Sequence, residues 1–158
     1  MGKMKQSEMS IGDLGPHGRS GSQGFAERFV ELSQKRSPLC LGLDPSEDLI
    51  QHWGLDDTVD GMRRFCETVL DAAGDRVSVV KPQSGFFERL GPHGMDVMAG
   101  SISQAKSQGC LALIDCKRGD FSRTMSGYAS AMLGEGSGFG GDAMTVSLSR
   151  SRCVAASV

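Results

Sequence analysis

The fold is decided by residues 110–124, "CLALIDCKRGDFSRT", where an apolar run leads directly into charged residues. Residues 110–114 are apolar and short, which is typical of a strand buried on both faces of a sheet. Asp115 and Lys117 follow at a spacing of two, so their side chains share one face of an extended strand. Cys116 points to the other face, and we expect it in the core. Charged residues at such a strand end are typical of parallel sheets, whose sites lie at their carboxyl edge.

Apolar runs and helical stripes alternate along the rest of the chain. The pattern predicts four strands, near residues 38–44, 77–81, 110–116 and 142–147. This alternation indicates an α/β fold with a parallel sheet and helices packed on one face. Before residue 24 the chain is rich in Gly, Ser, Lys and Met without periodicity, so we expect residues 1–23 to be a disordered leader.

Three of the predicted strands end in a charged residue, namely Asp44, Lys81 and Asp115. A charge in such a place is costly to desolvate unless it is paired, so we expect the three to share a site with Lys117. Opposite charges ~4 Å apart attract by ~4 kcal/mol at an intermediate dielectric, which would hold the lysines charged and fixed. A fixed ammonium stabilises a developing anion. The pattern D-x-K-x-x-D alone is also common in solvated turns, and that alternative stays open at this point.

The overall composition excludes several classes of function. A net charge of −2 gives no indication of nucleic acid or of an anionic membrane as a partner. The five cysteines are an odd number without a C-x-x-C pair, which predicts reduced thiols and neither a disulfide framework nor a zinc site. His17 and His93 both occur in the turn sequence "GPHG", so we expect no metal site from them.

Three motifs, "LCLGLDPS", "VVKPQSGFFERLGPHG" and "LIDCKRGDFSRTMSGYA", occur in this order along the chain. Together they resemble the orotidine 5′-phosphate decarboxylase family, in the bacterial subgroup that carries K-P-Q and D-x-K-R-G-D, over residues 25–147. The resemblance implies a (β/α)₈ barrel, of which residues 24–147 would form the first four βα units. It also implies a cytoplasmic homodimer in pyrimidine biosynthesis that converts orotidine 5′-phosphate to UMP and carbon dioxide, without metal or cofactor.

The resemblance also assigns roles to individual residues. Lys117 would stabilise the carbanion at C6 and protonate it, and Asp115 would lie near the departing carboxylate. Lys81 and Asp44 would bind the ribose, and Lys81 would join the charge network. The remaining assignments lie after the third strand. Asp120 and Thr124 would reach the partner's site, where Asp120 would complete a catalytic Lys-Asp-Lys-Asp array. Phe121 would line an apolar pocket.

Two features depart from the family pattern. Phe121 stands where the family usually has Ile, which predicts an altered apolar pocket. Residues 148–158 have neither a helical stripe nor strand alternation, so we interpret them as an aberrant tail that follows a truncation or a change of reading frame. A barrel needs eight strands and ~250 residues, and its phosphate site lies after strands 7 and 8. We therefore expect the chain as written to be inactive.

Two alternative functions remain. The chain could be a non-catalytic fragment of a barrel that associates with other chains. It could also be a magnesium-dependent lyase similar to hexulose-phosphate synthase, since those enzymes share the pattern D-x-K-x-x-D. The stretch "KPQSGFFE" argues against this second alternative.

Overall fold

The computed structural model describes residues 23–147. The predicted leader (residues 1–23) and tail (148–158) therefore lie outside the described residues, apart from residue 23. The helices and strands alternate along the chain as follows: α1 Phe25–Lys35, β1 Cys40–Leu43, α2 Glu47–His52, α3 Val59–Ala73, β2 Val79–Pro82, α4 Ser84–Glu88, α5 Gly91–Ser107, β3 Leu111–Arg118, α6 Ser122–Met132 and β4 Ala143–Val146.

The four strands form one sheet in the order β1-β2-β3-β4, and all neighbours are parallel. Each strand falls at its predicted place, so the prediction of four parallel strands from consecutive βα units is confirmed. In the register, Gly42 is opposite Lys81, Val80 is opposite Ala112, and Leu113 is opposite Ala143. Because side chains alternate along each strand, this register decides which residues share a face.

One face of the sheet forms the core with α3 and α5. Its strand residues are fully buried and apolar, as in Leu43, Val80 and Ile114. Cys116 is also buried, as the sequence predicts. The helices contribute the apolar stripes that the 3.6-residue period indicates: Met62, Phe65, Cys66 and Leu70 from α3, and Val97, Met98, Ile102 and Ala105 from α5.

The ends of α3 follow from local chemistry. The Thr58 side chain accepts a hydrogen bond from the Gly61 amide at 3.2 Å, which caps the first turn. At the other end, Gly74 has a φ of 51°, a left-handed conformation that stops the helix and suits glycine. The chain then enters β2 through a short 3₁₀ turn, Gly74–Arg76.

The other face, which carries the charged residues, is more exposed as a whole, although the apolar residues Val79 and Leu111 on it are also buried. Cys40 and Gly42 of β1 are exposed, and Lys81 and Leu113 are half-buried. The predicted site residues Lys81 and Asp115 lie on this face, near the carboxyl ends of their strands. Within residues 23–147, no helix combines the length and apolar character needed to cross a membrane.

Candidate active site

A buried carboxylate lies between two ammonium groups at the carboxyl end of β2 and β3. Asp115 Oδ2 is 2.8 Å from Lys81 Nζ, and Asp115 Oδ1 is 2.7 Å from Lys117 Nζ. The Asp115 side chain is only 10% exposed, whereas that of Lys117 is 60% exposed. We refer to Lys81, Asp115 and Lys117 as the ion array. This geometry agrees with the prediction, made from the sequence, that the side chains of Lys81, Asp115 and Lys117 lie close together.

Two further residues complete the hydrogen bonding of the ion array, and the sequence analysis did not single them out. The Thr145 hydroxyl donates to Asp115 Oδ1 at 2.7 Å, and Lys117 Nζ donates to Gln83 Oε1 at 3.1 Å. Gln83 is two residues after Lys81, and Thr145 belongs to β4. Alternation along β2 would have found Gln83, because it lies two residues after Lys81 and so shares its face, whereas Thr145 is found only through the pairing of β3 with β4.

Asp44 lies in the same row of the sheet but acts at longer range. Leu43 is opposite Pro82, so Asp44 is level with Gln83, which itself forms a bridge with Asp115. Lys81 lies two residues before this row, and its long side chain reaches up to Asp115. The charge of Asp44 contributes to raising the pKa of Lys81. The structure thus places all four predicted charges at one edge, with Lys81 two residues before the row that contains Asp115 and not level with it as the sequence pattern implies.

The electrostatics keep the ion array charged. Burial tends to raise the pKa of Asp115, but hydrogen bonds from Lys117, Lys81 and Thr145 outweigh it and hold this pKa well below its usual range. The hydrogen bond to Asp115 raises the pKa of Lys81 above its ordinary value. Near neutral pH the carboxylate is therefore ionised and the Lys81 ammonium stays protonated.

The backbone at Lys117 differs from the extended strand that the sequence analysis assumed. Lys117 has a φ of 47°, which lies in the left-handed region, and the β3–β4 register shifts between Ile114 and Arg118. The Lys117 amide donates to the Thr145 hydroxyl at 3.0 Å. A bulge of this kind redirects a side chain, and bulges are common next to active sites. Lys117 does reach Asp115, but a local irregularity brings it there.

The structure places the remaining predicted residues on a separate segment, where β3 leads into α6. Phe121 is 77% exposed, Thr124 is exposed, and Asp120 is half-buried. Asp120 Oδ1 accepts a hydrogen bond from the Phe121 amide at 2.7 Å. The described residues thus bring Lys81, Asp115 and Lys117 together, with Asp44 at the same edge. Asp120 and Phe121 lie apart from them, just before α6, and Thr124 lies in the first turn of α6.

The short helix α4 ties the strand-end loops together through two adjacent charges. Glu88 accepts a hydrogen bond from Arg118, at the end of β3. Arg89 binds both carboxylate oxygens of Asp57, at 2.8 Å through Nη1, and its Nη2 also donates to the Pro45 carbonyl at 3.3 Å. Pro45 follows Asp44 directly, so the end of α4 and the adjoining Arg89 link the loop that carries Asp44 to the end of β3, which carries Lys117. We call these contacts the α4 bracket.

Three of the cysteines in residues 23–147 lie in the core. Cys66, Cys110 and Cys116 are buried free thiols, and burial raises the pKa of Cys66 to about 12. Among residues 23–147 there is no group of three or more His, Cys, Asp and Glu side chains that could hold a metal ion.

Comparison with known proteins identifies the family. Residues 37–154 match the model of the orotidine 5′-phosphate decarboxylase / HUMPS family. The chain therefore belongs to that family. The matched range also includes part of the segment 148–158 that the sequence analysis treats as an aberrant tail.

Curated relatives and solved structures agree with this assignment. Orotidine 5′-phosphate decarboxylase of Myxococcus xanthus is 54% identical over 123 residues, and that of Salinispora tropica is 49% identical over 125 residues. These matches cover 78% and 79% of this chain but 43% and 45% of the relatives, so the chain spans less than half their length.

Among solved structures, a Streptomyces avermitilis protein provisionally named an orotidine 5′-phosphate decarboxylase superposes with a TM-score of 0.77 at 43% identity. The match covers 79% of this chain and 44% of that chain. The OMP decarboxylase of Leishmania donovani gives a TM-score of 0.58 at 27% identity, with 69% and 39% covered. The sheet and helices described above thus correspond to half of a (β/α)₈ barrel.

Proposed function

We propose that this site is the catalytic half-site of a carboxy-lyase that converts orotidine 5′-phosphate to UMP and carbon dioxide. The observation that carries the proposal is the ion array, which holds two ammonium groups on one buried carboxylate at the carboxyl edge of the sheet. Family membership and relatives that bear the decarboxylase name support the choice of substrate.

Lys117 is the residue that acts on the reacting carbon. When the bond between C6 and the carboxylate breaks, carbon dioxide leaves and the electron pair stays on C6. This carbanion has no resonance sink, so its stabilisation must come from a nearby fixed cation. The Lys117 ammonium supplies that charge and then donates a proton to C6, which gives UMP. The resulting neutral amine recovers its proton from water.

Asp115 has two roles in this scheme. Its carboxylate fixes both ammonium groups, because each of its oxygens accepts a hydrogen bond from one lysine. It also places a negative charge beside the substrate carboxylate, which raises the energy of the bound ground state. Its low pKa keeps the charge in place.

The neighbouring residues bind the rest of the nucleotide. Lys81 lies on β2, next to β3, and Asp44 directly follows β1; both would bind the ribose hydroxyls. Asp120 and Thr124 would reach into the site of a partner subunit, and Phe121 would line its apolar pocket. The 77% exposure of Phe121 supports a position at an interface, because a large apolar side chain gains from being covered.

We further propose that the protein is a homodimer that works in the cytoplasm. The free thiols Cys40, Cys66, Cys110 and Cys116 suit a reducing compartment.

The test is an assay of carbon dioxide release from orotidine 5′-phosphate. Because the chain spans 43% of the Myxococcus xanthus relative, the assay needs two proteins. One is the 158-residue chain, and the other is a chimera in which Ser147 is followed by the matching C-terminal part of that relative. We expect the chimera to be active and the short chain to lack measurable activity. In such barrels the phosphate site lies after strands 7 and 8, which only the chimera would contain, and phosphate binding energy also lowers the barrier of the chemical step.

Three outcomes would contradict parts of the proposal. A soluble, folded chimera without activity would refute the decarboxylase function, and Phe121→Ile would be the first change to examine. Equal activity in the short chain would refute the need for the added half. Activity that requires magnesium would favour a lyase similar to hexulose-phosphate synthase.

A further inference from the structure

The hydroxyl of Thr145 makes two hydrogen bonds within the site, and their directions are fixed by chemistry. The Lys117 amide can only donate, so Thr145 Oγ1 accepts from it at 3.0 Å. The ionised Asp115 carboxylate can only accept, so the single Thr145 proton goes to Asp115 Oδ1 at 2.7 Å. One half-buried side chain on β4 therefore holds both the backbone of Lys117 and the side chain of Asp115.

These two contacts occur where the sheet is irregular. Ile114 is opposite Met144 and Arg118 is opposite Val146, so three residues of β3 are opposite Thr145 alone. This register shift disrupts the backbone hydrogen bonds between β3 and β4 around Lys117. The Thr145 hydroxyl accepts a hydrogen bond from the Lys117 amide there. Lys117 also has a φ of 47°, a conformation that a residue with a Cβ keeps only when its surroundings hold it.

We propose that Thr145 is a positioning residue: its hydroxyl holds the bulge that directs Lys117 toward the reacting atoms and fixes the Asp115 carboxylate that orients the Lys117 ammonium. The groups around Asp115 fit this role. Lys81 on β2 donates to Oδ2, and Lys117 on β3 donates to Oδ1 together with Thr145, so the hydroxyl helps to fix the rotation of the carboxylate. The catalytic consequence rests on the proposed function, whereas the positioning itself does not.

The experiment uses the full 158-residue chain, with Thr145→Val to remove the hydroxyl at nearly constant shape and Thr145→Ser to retain it. Thr68→Val is the matched control, because the Thr68 hydroxyl bonds only locally, to the Arg64 carbonyl at 2.7 Å, on the exposed side of α3. NMR gives two measurements for each protein. One is the titration of the Asp115 carboxyl carbon, and the other is hydrogen exchange at the Lys117 amide.

With Thr145→Val we expect the proton affinity of Asp115 to rise about tenfold and the Lys117 amide to exchange at least about tenfold faster. Thr145→Ser and Thr68→Val should match the original chain in both measurements. Unchanged values in Thr145→Val would overturn the proposal. So would Thr145→Ser behaving like Thr145→Val, because the methyl group would then be the important part. If Thr145→Val does not fold, the unmodified chain still decides, since a Lys117 amide without protection from exchange would also overturn it.

Activity is measured separately in the chimera described above. There Thr145→Val should lower kcat at least about tenfold with little change in KM, since the group it misplaces acts on the transition state. A fall in kcat/KM that comes from KM alone would contradict a positioning role. An inactive unmodified chimera would overturn only the proposed function, because titration and exchange still decide the role of Thr145.

Discussion

The two faces of the sheet use the same four strands for opposite purposes. On the helix-covered face, Leu43, Val80 and Ile114 are buried and apolar. On the other face, the same strands carry Lys81, Gln83 and Asp115, which hydrogen-bond to one another or to Lys117. Near their carboxyl ends, β2 and β3 therefore supply packing with one set of alternate residues and chemistry with the other.

This difference shows how a short strand can stabilise the protein and build its site at once. A charge costs free energy where no partner meets it, so charges are placed on the face where neighbouring strands also carry polar groups. The apolar residues between them anchor each strand in the core. Adjacent residues should thus respond very differently to substitution, and the predictions below use such neighbours, from the largest effect to the smallest.

The strongest test of the polar face is Lys117→Ala in the chimera. We expect turnover to fall at least about a thousandfold, since the variant removes the fixed cation at the reacting carbon. The fold should be intact, because the Lys117 side chain is 60% exposed and lies outside the core. Turnover is measured as carbon dioxide release, and folding by circular dichroism.

The control for this variant is Lys35→Ala, on α1, whose side chain is 71% exposed and pairs only with Glu31 at 3.8 Å. It should keep normal turnover. Near-normal turnover in Lys117→Ala would remove Lys117 from the mechanism and with it the functional meaning of the polar face.

The covered face is tested by two neighbours on β3, Ile114 and Leu113. Ile114 is fully buried among core residues, so Ile114→Ala should lower the free energy of unfolding by about 3 kcal/mol through lost transfer energy and a cavity. Leu113 points to the other face and is half-buried, so Leu113→Ala should cost no more than about 1 kcal/mol. Urea unfolding of the 158-residue chain measures both. Equal losses would mean that the two faces are packed alike.

Much of this contrast is visible in the sequence, because alternation on strands and the 3.6-residue period on helices are properties of the backbone. They predicted four parallel strands, the burial of Cys116 and the meeting of Lys81, Asp115 and Lys117. Thr145 was missed because its importance depends on the strand register, whereas Gln83, two residues after Lys81, could have been found from alternation alone. The φ of Lys117 was missed as well, since a bulge arises from the pairing of two strands. The sequence pattern of one strand contains neither.

The closeness of packing on the covered side is tested by two glycines of α5. A Cβ at Gly94 would lie 2.1 Å from the Phe87 carbonyl oxygen, which belongs to the backbone, whereas a Cβ at Gly100 would meet nothing within 4 Å. Gly94→Ala should therefore destabilise the chain by about 2 kcal/mol. Gly100→Ala should stabilise it by about 0.5–1 kcal/mol, because alanine favours the helix. Thermal unfolding would contradict this view of α5 if both variants moved Tm in the same direction.

The charge state of the polar face gives stability a dependence on pH. Asp115 has a pKa below its ordinary value of 3.8 in the folded chain, so its contribution is present above that value and is lost as the pH falls toward the folded pKa. Lys81 has a pKa above its ordinary value of 10.5, so its contribution is complete below that value and is lost as the pH rises further. Between pH 5 and pH 3, Asp115→Asn should therefore lose less stability than the original chain, by urea unfolding at each pH. Parallel losses would show that Asp115 is not held in this way.

The smallest expected effect concerns the α4 bracket, which holds the polar edge from outside. Arg89 binds Asp57 through two nitrogens and also contacts the Pro45 carbonyl, and both charged side chains are only 26% and 21% exposed. A double-mutant cycle with Arg89→Gln and Asp57→Asn should give a coupling of about 1 kcal/mol, at the upper end for ion pairs near the surface. The matched pair Lys35 and Glu31, at 3.8 Å and 71% and 48% exposed, should give no more than about 0.3 kcal/mol.

The pKa of Asp57 is lowered mainly by its hydrogen bond from Arg89, so the coupling between Asp57 and Arg89 should be complete above pH 3.8 and fall as the pH drops below that value. Higher salt should weaken the exposed pair more than the bracket. A coupling equal to that of the exposed pair would mean that the loop bearing Asp44 is held by the core of the covered face alone.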